Sequence, residues 1–282
     1  MRPLFSVYCD GRVPAGRILE IGPGNNPIFY RSEGDVHYAD VRNAAEVDDT
    51  FFSTDKSGKQ AVELDFVIKG SYAASLKDVE VFDHVILCHV LEHIPRLIAF
   101  FQDIIKVMCP GGLLYLILPD HRFCFDHFRQ PTSFAEAYYV HINKLAAPPW
   151  RVFDSHFLNA GYNIPSMYWN EKNLAQAILL QRRQSLQEAR QNMEEAEKGL
   201  VSNSHVSVFT PWSFLLFLFS MLRVRMAAFS CERFFTTQKN EFSFGAVLKA
   251  DPGLPRDQER LDAELKKLAA LMDEQAPLPP GI

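Results

Sequence analysis

A short apolar run that ends at two glycines constrains the fold of this chain more than any other stretch. The run Arg17–Ile21 holds a single acid, Glu20, and breaks into Gly22-Pro23-Gly24. This pattern predicts a buried strand that ends in a tight turn, where the backbone can lie close to a ligand. The next run of alternating apolar residues, Val36–Val41, carries the acid Asp40. Such a strand, turn and acid are typical of a nucleoside site in a parallel α/β sheet.

The composition excludes several classes of protein. The 282 residues carry a net charge of −5, so nucleic acid is not an expected partner. The five cysteines are odd in number and lack Cys-x-x-Cys spacing, which favours free thiols in a reducing compartment. The longest apolar run, Phe214–Phe219, is well short of a membrane span, and the first residues do not follow a secretory signal pattern. We therefore expect a cytoplasmic protein without a transmembrane segment.

Strand and helix patterns alternate up to Asp120, which predicts a mostly parallel sheet covered by helices on both faces. A short helix is expected from Asn26-Pro27 to about Ser32. An amphipathic helix begins at Pro95, and Cys109-Pro110-Gly111-Gly112 ends it because glycine and proline terminate helices. The remaining apolar runs of this region predict strands at Ala61–Ile68, Phe82–Cys88 and Leu113–Leu118.

The alternation stops after the fifth strand. Residues from about 121 to 204 are interpreted as a helical insertion, in which Glu171–Leu200 is a polar stretch with sparse apolar positions. A buried helix begins at Thr210-Pro211, and two closing strands are expected at 224–236 and 241–249. The predicted domain covers residues 1–250, and residues 251–282 form a tail with an amphipathic helix.

The chemistry of the glycine turn favours one cofactor over another. The third glycine of the dinucleotide pattern is missing, because Asn26-Pro27 stands in its place. Glu20 directly before the turn disfavours a pyrophosphate but suits a ligand that carries an ammonium and a sulfonium. These two features favour S-adenosyl-L-methionine over a nicotinamide dinucleotide, and they make an oxidoreductase the weaker alternative.

Four segments together resemble the class I S-adenosylmethionine-dependent methyltransferases, in particular the small-molecule branch called methyltransferase type 11. They are Leu19–Asn25, Asp40, Phe82–Pro95 and Val107–Asp120. The resemblance covers roughly residues 17–120 and resumes at 205–249. It implies a Rossmann-like three-layer sandwich with a seven-stranded, mostly parallel sheet whose last pair forms a β-hairpin.

The resemblance also implies a set of cofactor contacts. Glu20 corresponds to the acid near the methionine amino group, and Asp40 to the acid that takes the ribose hydroxyls. Arg42, two residues later, departs from the neutral residue of many relatives, and pairing with Asp40 or with a substrate anion stays open. The other implied contacts are Gly22, Pro23, Gly24, Asn25 and Val41 at the first two strand ends, Asp65 and Phe66 near the adenine, and Cys88, His89 and Val90 on the methionine side.

The acceptor site is expected at the carboxyl ends of the strands. A hydroxyl acceptor needs a base, and histidine suits that role near neutral pH. For His93, a backbone hydrogen bond that orients the following helix is the alternative interpretation. For Asp126 and Arg129, a helical salt bridge is favoured over substrate contact. The candidate catalytic residues are His93, His121, His127, His205 and Asp120.

The residues Asp120, His121, Asp126 and His127 are potential metal ligands, but their spacing matches no known ligand set and their acids are few for a hard cation, so the sequence does not predict a metal site.

The predicted activity is methyl transfer to a small molecule, with a hydroxyl as the favoured acceptor. The segment Phe125–Thr132 is similar to segments of bacterial methyltransferases associated with surface-polysaccharide or glycolipid assembly, which favours a sugar hydroxyl. The alternative is a methyltransferase-like binding subunit without turnover. The helical stretch at 171–200, which is also the expected surface for a homo-oligomer or protein partner, and the tail helix at 257–274 would then be docking surfaces.

Overall fold

The computed structural model describes residues 11–43, 60–161, 164–170, 186–200 and 204–275. Within these residues, seven strands form one sheet in the order β3-β2-β1-β4-β5-β7-β6. The first five strands are parallel, and β7 runs antiparallel to both β5 and β6. The strands are β1 Arg17–Ile21, β2 Asp35–Asp40, β3 Phe66–Val67, β4 Phe82–Cys88, β5 Met108–Pro119, β6 Phe229–Phe235 and β7 Ser243–Ala250. The predicted α/β class, the seven strands and the closing hairpin are thereby confirmed.

A hydrophobic core lies on each face of this sheet, which explains why its central strands are apolar on both sides. Among the described residues, helices contribute to the larger core, whereas the core on the opposite face is built from strand and loop residues, so the predicted helical cover of that face is not observed there. Leu19 of β1 and Val85 of β4 are neighbours in register and belong to the larger core, whereas Ile18 and Ile86 face the opposite layer. All four side chains are buried. The helices are α1 Tyr72–Ser75, α2 Leu97–Ile104, α3 Phe134–Ile142, α4 Pro149–Phe157, α5 Pro165–Tyr168, α6 Leu186–Glu197, α7 Pro211–Arg223 and α8 Gln258–Gln275.

The segment after the glycine turn differs from its prediction. No α-helix forms between Asn26 and Ser32; the chain makes turns and then a 3-10 turn at Arg31–Glu33. The backbone N–H groups of Ile28 and Phe29 point back at the Glu20 carboxylate instead of along a helix. A buried acid therefore decides the conformation of this loop, and residue patterns do not reveal that.

Two strand boundaries also differ from the predicted ones. The third strand has two residues, Phe66–Val67, because β2 pairs with it only at Ala39 and Asp40. The fifth strand begins earlier, at Met108, which pairs with Phe82. The preceding helix ends at Ile104 and is followed by a 3-10 turn to Val107, so the prediction that the Pro-Gly-Gly stretch ends it is wrong, and this stretch is part of β5.

The insertion after β5 packs on itself and returns to the sheet. Helix α6 lies against α4, and Ala196 joins Ala147, Val152 and Val206 in a small separate core. Much of the predicted helical stretch, residues 171–185, lies outside the described residues. The division into one domain, an insertion and a tail stays a prediction.

A return segment, Ser204–Thr210, follows the insertion and runs beside the end of β5. Its Phe209 forms an isolated parallel bridge with Asp120, and the Phe209 carbonyl accepts from the His121 N–H at 3.0 Å. The Glu92 carbonyl accepts from the N–H groups of Val206 at 2.8 Å and Ser207 at 3.1 Å. These bonds bring His205 to the carboxyl edge of the sheet.

The C-terminal helix α8 packs against α7 and β6 rather than projecting from the fold. Leu261 and Leu268 are part of the main core, and the buried Glu264 carboxylate accepts from the Cys231 N–H at 2.7 Å. Among the described helices, none combines the length and the apolar character that crossing a bilayer requires.

Candidate functional site

The turn after β1 has the left-handed backbone conformation that its two glycines favour. Gly22 and Gly24 have φ angles of 68° and 57°, in the left-handed region that favours glycine. The Gly22 N–H donates to the Ala39 carbonyl at 2.8 Å, which ties the turn to the end of β2. A Cβ atom on Gly22 would stand 2.6 Å from Cγ2 of Val90. The segment that follows β4 therefore lies directly on this turn.

Glu20 is a buried acid behind the turn. One carboxylate oxygen accepts from the Ile28 N–H at 2.9 Å, and the other accepts from Ile28 at 3.0 Å and Phe29 at 3.4 Å. Burial raises the pKa of Glu20 to about 7, against these two backbone donors, which lower it. The carboxylate therefore holds the loop of Ile28 and Phe29 in place, and its predicted contact with the methionine amino group stays a prediction.

Asp40 ends β2 at the same edge of the sheet. Its carboxylate accepts from the Arg42 N–H at 3.1 Å. Burial raises the pKa of Asp40, while the backbone N–H groups of Arg42 and Val41 and the Arg42 charge lower it. The structure thus places the predicted ribose acid beside the glycine turn, together with the exposed side chain of Val41.

Asp65 and Phe66 lie differently from the expected adenine contacts. The Asp65 carboxylate accepts from the Tyr38 N–H and from Nη2 of Arg31, both at 2.8 Å. The Phe66 ring packs on His37 and Phe82, which belong to the amino-terminal halves of their strands. Both side chains are therefore engaged away from the carboxyl edge, where the short β3 ends at Val67.

Cys88 ends the fourth strand as predicted, and His89 follows it directly. The His89 N–H donates to the Ile117 carbonyl at 3.0 Å, and φ of His89 is 54°. Its ring stacks on Phe242, and Nε2 lies 3.1 Å from Oγ of Ser243. The left-handed conformation turns the chain out of β4 and directs the His89 ring along the sheet edge.

A cluster of one carboxylate and two imidazoles lies just beyond this point. We call Glu92, His93 and His205 the Glu-His-His cluster; one possible ligand atom from each lies within 4.8 Å of the others. Oε1 of Glu92 is 3.9 Å from Nε2 of His205 and 3.5 Å from Nδ1 of His89. The Glu92 side chain is buried, and neither of its oxygens has a hydrogen-bond partner among the described residues.

The buried ion pair of Asp126 and Arg129 contacts His205 at Nδ1, the ring nitrogen that does not face Glu92. Nδ1 of His205 lies 2.5 Å from Oδ2 of Asp126, and Nη1 of Arg129 donates to the other Asp126 oxygen at 2.7 Å. Asp126 and Arg129 each expose 1% of their surface. The expected salt bridge between them exists, but it is buried in an irregular turn and not on a helix. Its contact with His205 was not predicted.

The pKa values of Glu92, His93 and His205 are shifted by burial and by the charges of their neighbours. Burial raises the pKa of Glu92, but its three neighbouring histidines outweigh that effect and lower it below the ordinary value. Burial lowers the pKa of His205, yet the hydrogen bond and charge of Asp126 raise it overall. For His93, burial dominates and the pKa is lowered.

The other predicted catalytic residues are placed elsewhere. Asp120 is completely buried, and its carboxylate accepts from Nη2 of Arg122 at 2.6 Å and Oγ1 of Thr237 at 2.7 Å. His121 is buried with a lowered pKa, chiefly because of burial. Nδ1 of His127 lies 2.6 Å from the Arg122 carbonyl. The structure therefore brings together His93 and His205, and it engages Asp120 in structural contacts.

Sequence reasoning missed Glu92, Asp126 and Arg129 as members of one site. A signal was present, because Glu92 interrupts the apolar residues Val90, Leu91 and Ile94. The contact between Glu92 and His205 joins residues from two distant segments, and no local pattern reports such a contact.

A family model described as a methyltransferase domain matches residues 11–211, which is most of the chain. The protein therefore belongs to this methyltransferase family. Membership confirms the predicted class I methyltransferase assignment and S-adenosyl-L-methionine as the cofactor. A search of curated proteins returned no match.

Several solved structures are similar to this chain. The CurJ carbon methyltransferase has 12% identity and a TM-score of 0.36, over 89% of this chain and 54% of that one. The mitomycin 7-O-methyltransferase MmcR has 11% identity and a TM-score of 0.37, over 84% and 49%. The cyclopropane synthase MmaA2 from Mycobacterium tuberculosis has 14% identity and a TM-score of 0.32, over 88% and 83%. The chain spans about half the length of the first two, and at these identities the likeness carries no information about the acceptor.

Proposed function

We propose that this protein transfers the methyl group of S-adenosyl-L-methionine to a hydroxyl of a small molecule, with a sugar hydroxyl as the favoured acceptor. The cofactor lies along the glycine turn and Asp40, and the acceptor is activated at the Glu-His-His cluster. Of the five candidate catalytic residues, His93 and His205 belong to this cluster.

One observation carries the proposal: the cofactor turn and the cluster are neighbours. Val90 packs against Gly22, with only 2.6 Å between its Cγ2 and a Cβ atom built on that glycine. Two residues later the chain reaches Glu92 and His93. Methyl transfer needs an acceptor oxygen in line with the sulfonium methyl, so a group that activates the oxygen must stand close to the cofactor.

The cluster has the chemistry to activate a hydroxyl. Oxygen attacks the methyl carbon, the carbon–sulfur bond breaks, and its electron pair stays on sulfur. The hydroxyl proton must leave, and two arrangements lower the cost of removing it: an imidazole that accepts the proton, or a cation that binds the oxygen. Glu92, His93 and His205 offer donor atoms for either arrangement.

Cofactor binding is tested by isothermal titration calorimetry with S-adenosyl-L-methionine. Asp40→Ala removes the carboxylate beside the turn, and we expect it to weaken binding at least tenfold. Asp35→Ala is the matched control, because Asp35 begins the same strand at the opposite edge and is exposed. Equal affinity of the Asp40→Ala variant and the wild type would refute this placement of the cofactor.

The acceptor is tested by mass spectrometry with a panel of sugars and glycolipid headgroups. We expect formation of S-adenosylhomocysteine together with a product that is heavier by one methyl substitution. The variants His93→Ala and His205→Ala should lower turnover while they leave the affinity for S-adenosyl-L-methionine within a factor of about two. Turnover that survives both substitutions would exclude the cluster as the activating site.

No observation favours the alternative of a binding subunit without turnover. One of its two expected docking surfaces, the tail helix, buries Leu261 and Leu268 in the core of its own chain. For the other, α6 packs on α4, where Ala196 shares a small core with Val152. Cofactor turnover by the purified chain alone would separate the two functions.

A further inference from the structure

We propose that the Glu-His-His cluster is a binding site for one divalent transition-metal ion, held by a Glu92 oxygen and by Nε2 of His93 and of His205. This inference rests on the proposed function for its role, since the ion would bind the acceptor hydroxyl. The site itself is argued from the geometry of the three side chains.

The first argument is the state of the Glu92 carboxylate. Its residue exposes 1% of its surface, and both oxygens lack hydrogen-bond partners among the described residues. A buried carboxylate without partners is costly, so its surroundings normally supply donors or a metal. The nearest imidazole nitrogens, at 3.5 Å on His89 and 3.9 Å on His205, are too far for good hydrogen bonds.

The separations are close to those that an ion between the side chains requires. Zinc lies about 2.0–2.2 Å from nitrogen and oxygen ligands, so the ligand atoms of a tetrahedral ion are about 3.4 Å apart. The 3.9 Å between Glu92 Oε1 and His205 Nε2 exceeds that spacing by about half an ångström. All three ligand atoms lie within 4.8 Å of one another, so binding requires the side chains to move together by about an ångström.

The second argument is the way in which each imidazole is held. Nδ1 of His205 is bound to the Asp126 carboxylate at 2.5 Å, and Nδ1 of His93 lies 3.2 Å from the Ser204 carbonyl. In the neutral ring, an oxygen acceptor at Nδ1 fixes the tautomer that has no proton on Nε2. Metal-binding histidines characteristically have such a partner on the other nitrogen. Two histidines of one cluster share this arrangement.

The charges around the cluster favour a cation. Glu92 and Asp126 are both buried acids, and Arg129 lies against Asp126 at 2.7 Å. With neutral imidazoles, the Glu92 charge has no permanent cation beside it among the described residues. Two nitrogen ligands and one oxygen ligand suit zinc, iron or cobalt, whereas magnesium prefers oxygen ligands.

Three protein ligands leave coordination positions for the acceptor. An acceptor with two adjacent oxygens, such as the vicinal diol of a sugar, can occupy two of them. Coordination lowers the pKa of the hydroxyl, whose proton passes to solvent water. The resulting oxygen attacks the sulfonium methyl, and the carbon–sulfur electron pair remains on sulfur. The metal does not change its oxidation state in this step.

The test is a binding titration of the full chain after dialysis against a chelator, with Zn²⁺ followed by calorimetry and Co²⁺ by visible absorption. We expect one equivalent to bind, with a Co²⁺ spectrum of nitrogen and oxygen ligands and with Mg²⁺ unable to compete. Glu92→Gln and His205→Ala should abolish the spectrum. Asp126→Asn should weaken binding about 10- to 100-fold, because it releases the partner of His205.

His141→Ala is the control for adventitious binding to histidine, since His141 lies on α3 and is not a member of the cluster. Circular dichroism establishes that each variant is folded. Absence of stoichiometric binding by the wild type, or unchanged binding by both Glu92→Gln and His205→Ala, would overturn the proposal.

The failure of this proposal is distinguishable from that of the proposed function. Methyl transfer by the metal-free protein at an undiminished rate would overturn the role of the ion and leave the methyltransferase intact. Failure to bind S-adenosyl-L-methionine while the Co²⁺ spectrum persists would remove the proposed function and leave the metal site.

Discussion

At the scale of single residues, Gly22 is the position where the glycine turn after β1 has no room for a side chain. Gly22→Ala places a Cβ atom 2.6 Å from Val90 and forces alanine to a φ of 68°. We expect a loss of cofactor affinity of at least tenfold together with lower stability. Calorimetry with S-adenosyl-L-methionine and urea unfolding measure the two effects.

Two further variants separate the contact from the backbone strain at Gly22. Gly111→Ala has a similar φ of 86° with no atom within 4 Å, so it should lose only about 1–2 kcal/mol of stability. The double variant Gly22→Ala/Val90→Ala should recover part of the cofactor affinity. If Gly22→Ala binds the cofactor like Gly111→Ala, the close contact with Val90 does not matter for binding.

Glu20 gives the stability of the protein a defined pH dependence. Folding raises its pKa from 4.5 to about 7, so between these values the folded chain binds more protons than the unfolded chain. The free energy of unfolding therefore falls as the pH rises from about 4.5 to 7, by about 3 kcal/mol from this group. Glu20→Gln should flatten the urea midpoint over this range, whereas Asp35→Asn should not.

The same residue reports on the cofactor amino group. If Glu20 pairs with the ammonium of S-adenosyl-L-methionine, its pKa falls on binding and a proton is released near pH 6.5. Calorimetry in two buffers of different ionisation enthalpy measures this proton. We expect release by the wild type and none by Glu20→Gln. Equal proton release by both would assign Glu20 to the loop of Ile28 and Phe29 alone.

At the scale of elements, the tail helix α8 is packed into the main core and is not a projecting segment. Leu268 of α8 is completely buried in the main core. Leu268→Ala should lower the free energy of unfolding by about 2–5 kcal/mol in one cooperative transition. The exposed Lys266→Ala on the same helix should change it by less than about 0.5 kcal/mol. A separate early transition for Leu268→Ala would mark the tail as an independent unit.

The elements that sequence predicted well are those whose pattern and environment agree. β4 and α7 are apolar over most of their length, and both are buried where the pattern places them. The 3-10 turn after Tyr30 and the two-residue β3 were not predicted, because long-range contacts set them. Glu20 holds the loop before the first, and only two residues of β2 pair with the second.

The candidate site also has one part that sequence could predict and one part that it could not. The glycine turn and Asp40 could be recognised because one segment carries all the information that the turn needs. The cluster could not, because the return segment brings His205 to Glu92 through backbone bonds from Val206 and Ser207. Asp126 supports His205 from a third segment. Residue types indicated histidine chemistry, and only the fold decides which histidines meet.

At the scale of the whole molecule, the ion pair of Asp126 and Arg129 joins the insertion to the site. Arg129 donates to Asp126 through Nη1 and to the Arg151 carbonyl on α4 through Nη2, at 3.1 Å. Asp126 in turn holds His205 at the edge of the sheet. The pair therefore couples the packing of the insertion to the orientation of a site residue.

This coupling predicts that stability and function respond differently to one pair of substitutions. Arg129→Met leaves Asp126 buried without its arginine and should cost about 3–5 kcal/mol. The double variant Arg129→Met/Asp126→Leu should recover much of that loss, because apolar side chains can replace a buried ion pair with little cost. Arg190→Met, which removes an exposed pair with Glu194, should cost at most about 1 kcal/mol.

Function should not recover in the double variant. With leucine at position 126, Nδ1 of His205 loses its acceptor, and the tautomer and orientation of the ring are no longer fixed. Metal affinity should stay about 10- to 100-fold below that of the wild type although the urea midpoint returns toward the wild-type value. Recovery of both quantities together would mean that the ion pair serves folding alone, and that His205 needs no support from the insertion.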